Sequence, residues 1–217
     1  MSSNFPMTEG VAEYAITLFP KDFKGVMVDI GAFDPIWINN SWLFEKAGWD
    51  VHCVEPNPNC IPKLKEFRKN VYEYACSDEN RDDANLYIYS NPEQNPEYPQ
   101  ASATGLILHR RYDGHTTVLV KVRTFDWLME NEIKRDHVDI ISIDVEMHEM
   151  AVLRGIDFGI FKPKVVIVEN IWEEKSQHLF LEDNGYTYVN RIAVNDIYTR
   201  NDEADIGKYA QLNGVVK

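Results

Sequence analysis

Basic residues are scarce in this sequence. Lysine and arginine number 22 against 35 aspartate and glutamate, which gives a formal net charge of −13. A surface of that sign does not attract a phosphate backbone, so we expect no nucleic-acid partner. No stretch approaches the roughly 18 consecutive apolar residues of a membrane-spanning helix, and the first ten residues lack the basic and apolar regions of a signal peptide. We therefore expect a soluble, cytoplasmic protein without a membrane span.

Cysteine pairs and glycine-rich phosphate loops are also lacking. The three cysteines, Cys53, Cys60 and Cys76, are odd in number and show no CxxC spacing, which argues against a disulfide framework and a zinc site. Neither GxGxxG nor a P-loop is found, and Phe33 stands where a second glycine would be needed. The chain does have 44% hydrophobic and 26% charged residues, which is ordinary globular composition. We predict one domain spanning residues 1–217.

Short β-branched runs alternate with helical segments along most of the chain. This alternation predicts an α/β fold with a mainly parallel sheet and helices on both faces. The last two strands are joined by a tight link, which predicts an antiparallel edge. The predicted strands are 25–30, 51–54, 71–75, 85–90, 118–122, 138–143, 165–168, 186–189 and 192–198, and the predicted helices are 41–47, 59–69, 124–132, 148–154 and 176–183.

Polar residues and glycine follow the first three predicted strands. In an open parallel sheet, ligands bind beyond the carboxyl ends of the strands. A glycine there lets the backbone approach a ligand, and a carboxylate after the second strand can accept hydrogen bonds from ribose hydroxyls. A polar side chain after the third strand could meet an adenine amine. The predicted cofactor-binding residues are Asp29, Gly31, Ala32, Asp34, Glu55, Pro56, Ser77 and Asp78, together with Asp144 after a later strand. Each is also typical of a solvated turn, but their joint order favours a nucleoside ligand.

Four segments together resemble the FkbM family of S-adenosylmethionine-dependent methyltransferases. They are Val28–Ala32, Val54–Asn57, Arg123–Asp126 and Ser142–Glu146, and the similarity continues through His148–Glu149, Val152–Gly155 and Val168–Glu169. The resemblance implies a Rossmann-like class I methyltransferase with a seven-stranded sheet. It also implies S-adenosylmethionine as cofactor and O-methylation of a hydroxyl on a sugar or small metabolite. The chain departs from the family pattern at Phe33–Pro35 and at Met147, which occupies a position where the family often has glycine.

Acidic and histidine side chains cluster after the most apolar strand, 138–143. Asp144, Glu146 and His148 are the predicted catalytic residues. Methyl transfer from a sulfonium requires an aligned acceptor oxygen and a group that takes its proton. Histidine titrates near neutrality, so we expect His148, or Glu146 if the histidine points away, to act as general base. Alternatively, His148 and Glu149 simply begin the next helix, where an acid interacts favourably with the helix dipole.

A divalent cation such as Mg²⁺ is a second mechanistic possibility. Asp144 ends one predicted strand, and Glu169 with Asn170 ends the next, so these three side chains could form a metal site. Such an ion would lower the pKa of the acceptor hydroxyl and orient it. This arrangement is similar to the magnesium site of catechol-type methyltransferases.

The segment from Asn91 to His115 is too long for a simple connector, so we predict a substrate-facing insert there. It contains aromatic and hydroxyl side chains, which would suit a polar small-molecule or glycan acceptor. Two other functions stay open from the residues alone. A nicotinamide-dependent oxidoreductase would share the acidic residue after the second strand, and a degenerate methyltransferase fold could serve as a non-catalytic binding domain.

Overall fold

The computed structural model describes residues 10–89, 103–106 and 115–202, with the backbone alone at 103 and 104. Eleven strands are assigned within these ranges. They are β1 Val26–Ile30, β2 Asp50–Val54, β3 Asn70–Tyr72, β4 Ala75–Cys76, β5 Arg81–Tyr89, β6 Ala103–Gly105, β7 Thr116–Arg123, β8 Ile140–Ile143, β9 Val165–Glu169, β10 Tyr186–Ile192 and β11 Asn195–Arg200. The helices are α1 Val11–Thr17, α2 Trp42–Lys46, α3 Ile61–Phe67, α4 Phe125–Leu128, α5 Glu149–Arg154 and α6 Lys175–Asp183, and a π-helical turn, Met129–Ile133, follows α4.

The main sheet has seven strands in the order β10-β11-β9-β8-β1-β2-β3. Strands β3, β2, β1, β8 and β9 are mutually parallel, and β11 runs antiparallel to both β9 and β10. Every residue of β1, β8 and β9 is buried, because separate apolar clusters cover the two faces of the sheet. This topology confirms the predicted Rossmann-like fold with seven strands and an antiparallel edge.

A second sheet, absent from the sequence prediction, contains four strands in the order β4-β7-β5-β6. The apolar run 71–75 was predicted as one strand, but it divides between the two sheets: β3 pairs with β2, whereas β4 pairs with β7. Glu73 and Tyr74 make the step from one sheet to the other. Most of the predicted insert from Asn91 to His115 lies outside the described residues. Of its described part, Ala103–Gly105 forms β6 and pairs with β5.

Local signals explain several element ends. Thr124 was expected to cap the helix after it, and its Oγ1 accepts a hydrogen bond from the Trp127 amide at 3.1 Å. Ser41 precedes α2 as predicted, but its hydroxyl makes no capping hydrogen bond because it donates to buried Asp29 instead. Helix α1 was not predicted, since the first twenty residues carry no recognisable cap. Within the described ranges, no helix is both long enough and apolar enough to cross a bilayer.

Candidate active site

Gly31 allows the ends of β1 and β8 to meet. Its φ of +87° lies in the left-handed region that favours glycine, and a Cβ there would lie 1.7 Å from the carbonyl oxygen of Asp144. The Gly31 amide donates to the Val54 carbonyl at 2.9 Å, so the same turn also closes against the end of β2. Only glycine fits this junction of three strand ends.

Glu55 is a buried carboxylate whose orientation is set by the backbone. One oxygen accepts from the Phe33 amide at 2.9 Å, and the other accepts from the Asn57 amide at 2.8 Å. Burial raises the pKa of Glu55 to about 7, although these two donors act in the opposite direction. A carboxylate offers about four lone-pair positions, so each oxygen can accept one further hydrogen bond. Two adjacent ribose hydroxyls fit this remaining capacity.

A buried polar network underlies the loop after β1. The Ser41 hydroxyl donates to Asp29 at 2.5 Å, and the guanidinium of Arg68 donates to the Ser41 hydroxyl at 2.8 Å. Arg68 also donates to Asn39 Oδ1 and to a carboxylate oxygen of Glu45, at 3.1 and 2.5 Å. Burial raises the pKa of Asp29, and the Arg68 charge opposes that rise. The network stabilises the loop from beneath.

Asp34 organises the loop itself. Its Oδ1 accepts hydrogen bonds from the amides of Ile36 and Trp37 at 2.9 and 2.8 Å, and its Oδ2 forms an ion pair with Lys63 at 2.5 Å. The preceding residue, Phe33, has a φ of +47° without being glycine. The Phe33–Pro35 departure from the family pattern therefore adopts a locally stabilised turn.

The turn between β8 and α5 is strained and is held by Glu149. Glu146 and Met147 have φ values of +56° and +71°, which side-chain-bearing residues rarely adopt. One carboxylate oxygen of Glu149 accepts hydrogen bonds from the amides of Val145 and Met147, at 3.2 and 3.1 Å. Glycine would adopt this left-handed conformation without strain, whereas Met147 carries a side chain there. Strain of this kind concentrates at functional sites.

These turns surround a cavity of about 280 Å³ at the carboxyl edge of the main sheet. The small sheet supplies the opposite wall through Cys76, Leu86, Gly105 and Leu106. Among the predicted site residues, the cavity is lined by Gly31, Glu55, Pro56, Asp144, Glu146, His148 and Glu169. Its volume lies near the lower end of the ~300–1,000 Å³ usual for small-molecule sites. The cavity is thus the natural location for a nucleoside cofactor.

Burial and mutual repulsion shift the titration of the acidic lining residues. Burial raises the pKa of Glu146 to about 7, and the nearby Glu149 carboxylate adds to the rise. The pKa of Asp144 is raised by burial and by the carboxylates of Glu169, Glu146 and Glu149. Burial lowers the pKa of His148, so this imidazole is neutral at pH 7. The cavity accordingly contains proton-accepting groups that titrate near neutrality.

His148 contacts the end of β4. Its Nε2 lies 2.9 Å from the Ser77 hydroxyl, which is also 3.1 Å from an oxygen of Asp78. If the single hydroxyl proton of Ser77 goes to Asp78, Nε2 carries the imidazole proton and Nδ1 is the basic nitrogen. Gly155 packs against the same segment, because a Cβ there would lie 2.2 Å from the Ser77 carbonyl oxygen.

Several predicted cofactor residues lie beside the cavity without lining it. Asp29 and Asp34 are buried in the hydrogen bonds described above, and Ala32 packs in the apolar core. Ser77 is buried against His148, whereas Asp78 is exposed. Direct contact between these five residues and a cofactor stays a prediction, and their observed contacts support the walls of the cavity.

The three residues predicted as metal ligands are not all brought together. Asp144 and Glu169 both line the cavity, but Asn170 does not. The Asn170 amide nitrogen donates to Asp196 at 2.7 Å, and its Oδ1 accepts from the Glu174 amide at 2.7 Å. In the part of the chain that the structure describes, no cluster of three or more His, Cys, Asp or Glu side chains is placed to hold a metal ion. Both polar atoms of the Asn170 side chain thus have protein partners, and a metal site at Asp144, Glu169 and Asn170 stays a prediction.

The predicted site residues do not include the aromatic and apolar part of the lining. Ile38, Tyr74 and Cys76 contribute to the cavity, as do Phe33 and Trp37 in the loop after β1. Burial raises the pKa of the Cys76 thiol to about 12, so it is a neutral, apolar lining group. Cys76 directly follows a predicted strand and could have been found by that position. Leu86 could not, because its placement depends on the unforeseen second sheet, whereas Gly105 falls within the predicted substrate-facing insert.

The strand order and the cavity at the carboxyl ends of the strands define a Rossmann-like α/β fold with a small-molecule-sized site. Residues 29–188 match the domain family described as Methyltransferase FkbM domain. The chain belongs to the FkbM methyltransferase family, whose members transfer a methyl group from S-adenosylmethionine. This assignment sets aside the nicotinamide-dependent oxidoreductase. A search of curated proteins found no match.

Three solved structures illustrate the similarity. Human methyltransferase-like protein 13 in complex with SAH is 10% identical with a TM-score of 0.49, covering 94% of this chain and 88% of that one. The precorrin-6y C5,15-methyltransferase from Geobacter metallireducens GS-15 is 16% identical with a TM-score of 0.38, covering 91% and 94%. TYW2 of M. jannaschii in complex with AdoMet is 14% identical with a TM-score of 0.40, covering 92% and 78%.

Proposed function

We propose that this protein methylates a hydroxyl group of a small metabolite or sugar, with Glu146 as the general base. The observation that carries the proposal is the convergence of Glu55, Asp144, Glu146 and His148 on one cavity beside the Gly31 turn. When bound, S-adenosylmethionine supplies an electrophilic methyl group. The protein residues have to orient the cofactor and the acceptor, exclude water and remove one proton from the acceptor hydroxyl.

Cofactor binding is assigned to the β1 and β2 ends. Gly31 lines the cavity where β1, β2 and β8 end, and the two oxygens of Glu55 are fixed by the Phe33 and Asn57 amides with one further position free on each. Pro56 lines the cavity beside Glu55. A ribose diol matches the paired acceptors of Glu55.

Proton removal is assigned to Glu146 in preference to His148. A base with a pKa near the working pH combines a large ionised fraction with useful basicity, and burial raises the pKa of Glu146 to about 7. One nitrogen of His148 is already in contact with the Ser77 hydroxyl at 2.9 Å. The neutral imidazole then positions the acceptor or shields the base. Asp144 supports the turn through its backbone contact with Gly31.

The test measures S-adenosylhomocysteine formation with a panel of hydroxylated small molecules, comparing the wild type with Glu146→Gln and His148→Asn. If Glu146 is the base, Glu146→Gln lowers kcat about 10²–10⁴-fold, whereas His148→Asn has the smaller effect. The wild-type kcat should rise as pH increases through about 7, because only the ionised carboxylate accepts a proton. Cofactor binding without turnover on any acceptor would instead favour a non-catalytic domain. A Glu146→Gln variant with unchanged kcat would reassign the base.

A further inference from the structure

A second, smaller pocket adjoins the cofactor cavity on the side of β9. It holds about 90 Å³ and lies between the Met147 turn, the residues after β9 and the start of α6. Glu169 lines both the pocket and the cofactor cavity, so the two spaces meet at this side chain. Met147 directly follows Glu146, the base assigned above. A group in this pocket would lie beside the site of methyl transfer.

One side chain that lines the pocket has a buried hydrogen-bond acceptor. Gln177 is 4% exposed, and its Oε1 has no hydrogen-bond partner among the described residues. The amide orientation is set by its nitrogen, which donates to the Glu169 carbonyl at 3.3 Å. If the side-chain amide were flipped, Gln177 Oε1 would face the Glu169 carbonyl oxygen, and neither oxygen can donate. A buried acceptor without a donor is destabilising, so a ligand hydroxyl or amine that donates to it would be favoured.

The charge of the lining restricts which ligands fit. Glu149, Glu169 and Glu174 contribute three carboxyl groups, and none of the nine lining residues is lysine, arginine or histidine. A ligand that donates hydrogen bonds is accommodated. A carboxylate or phosphate would meet like charge without a counter-ion.

The rim of the pocket is apolar and open. Trp172, Met147 and Ile171 are 58%, 45% and 42% exposed and line the same pocket. The pocket volume of about 90 Å³ leaves room for the hydroxylated edge of a ring. The remaining apolar face of such a ring would cover the indole of Trp172.

We propose that this pocket is the acceptor subsite, and that Gln177 and Trp172 select hydroxyl- or amine-bearing rings over anionic ones. The inference rests on the proposed methyl-transfer function. In this arrangement the Gln177 oxygen accepts from one hydroxyl or amine of the ring and Trp172 packs against its apolar face. A neighbouring hydroxyl then points towards the cofactor cavity past Glu169.

The test uses three matched probes that differ in one group: methyl glucopyranoside, its 2-amino analogue and its uronate. Binding is followed by NMR in the presence of S-adenosylhomocysteine, from the chemical shifts of the Trp172 indole and the Met147 methyl group. These two signals are assigned with the variants Trp172→Phe and Met147→Leu. We expect the neutral and amine-bearing probes to shift both signals and the uronate to shift neither. A uronate that binds as well as the neutral ring, or a pocket that none of the three probes perturbs, overturns the inference.

Substitutions separate the subsite from the cofactor site. Gln177→Met keeps the side-chain length and removes the acceptor, and it should weaken binding of the neutral probe about tenfold while leaving S-adenosylhomocysteine affinity unchanged. Trp172→Ala changes an exposed side chain and is not expected to impair folding. It should also weaken binding of the neutral probe, which tests the subsite independently of Gln177. Ile160→Ala, at an equally exposed apolar residue outside both pockets, is the matched control. A wild-type protein that does not bind S-adenosylhomocysteine would contradict the proposed function. Unaltered probe binding in both subsite variants would contradict only the assignment of this pocket as the acceptor subsite.

Discussion

Replacing Gly31 with alanine tests whether the close contact between β1 and β8 builds the site. Gly185 provides an unusually close control, because the φ values of Gly31 and Gly185 are +87° and +85°. A Cβ on Gly185 would meet nothing within 4 Å, whereas a Cβ on Gly31 would lie 1.7 Å from the Asp144 carbonyl oxygen. The two variants therefore share the backbone strain and differ in the steric clash.

The expected magnitudes follow from that difference. Gly185→Ala should lower the free energy of unfolding by about 1–2 kcal/mol, the cost of a left-handed residue that carries a side chain. Gly31→Ala adds an overpacking cost of about 1–3 kcal/mol, because the backbone at Asp144 has to move. At about 2–4 °C per kcal/mol for a chain of this size, the two melting temperatures should differ by several degrees.

The assay combines urea unfolding with calorimetric titration of S-adenosylhomocysteine. Gly185→Ala should bind it as the wild type does, since Gly185 precedes β10 and lies outside the cavity. Gly31→Ala should lose most binding, because moving Asp144 displaces the junction of the strand ends. Equal destabilisation of the two variants, or wild-type affinity in Gly31→Ala, would refute the role given to this contact.

Three further predictions concern Glu55, Arg68 and Met147. Glu55→Gln should weaken S-adenosylhomocysteine binding about 10–100-fold, since hydrogen bonds to a charged acceptor contribute about 1.5–3 kcal/mol. Calorimetry should also show wild-type affinity rising with pH through about 7, as Glu55 ionises, and a smaller rise in the variant. Arg68→Met should lower the free energy of unfolding in urea by about 3–5 kcal/mol, because it removes the ion-pair partner of the buried Glu45 carboxylate. A decrease below about 1 kcal/mol would contradict this. Met147→Gly should raise the unfolding free energy by about 1 kcal/mol by relieving the φ of +71°, whereas a loss of stability would mean that side-chain contacts outweigh the strain.

The main sheet could be predicted from the sequence because its signals are local. The β1, β8 and β9 segments are almost wholly apolar, and each ends at a polar residue or glycine, which identifies buried parallel strands. Two strands of the small sheet were predicted, at 85–90 and 118–122, but no local signal assigned them to a separate sheet. Its strand β5 alternates exposed and buried residues, but its pairing with β7 depends on a contact across the long segment between them.

The candidate site was predictable where strand ends carry unusual residues and unpredictable where contacts are long-range. Gly31, Glu55 and Glu146 were found because they follow predicted strands. Arg68 was not found, since a basic residue at the end of a helix does not reveal that it is buried beneath a loop more than twenty residues earlier. Asn170 was assigned to a metal site from its position alone, and its hydrogen bonds to Asp196 and Glu174 could not be read from the sequence.

The step from β3 to β4 at Glu73 and Tyr74 places the cavity between two separate backbone hydrogen-bond networks. The main sheet provides one wall and the small sheet provides the other, and Gly105 at the edge of the small sheet approaches the backbone of Glu146. The two sheets share no strand, so their backbone ladders are separate. In hydrogen-exchange terms, the amides of β5 and β7 should open as a cooperative unit distinct from those of β1 and β8. A bound ligand that touches both walls would slow exchange in both units at once.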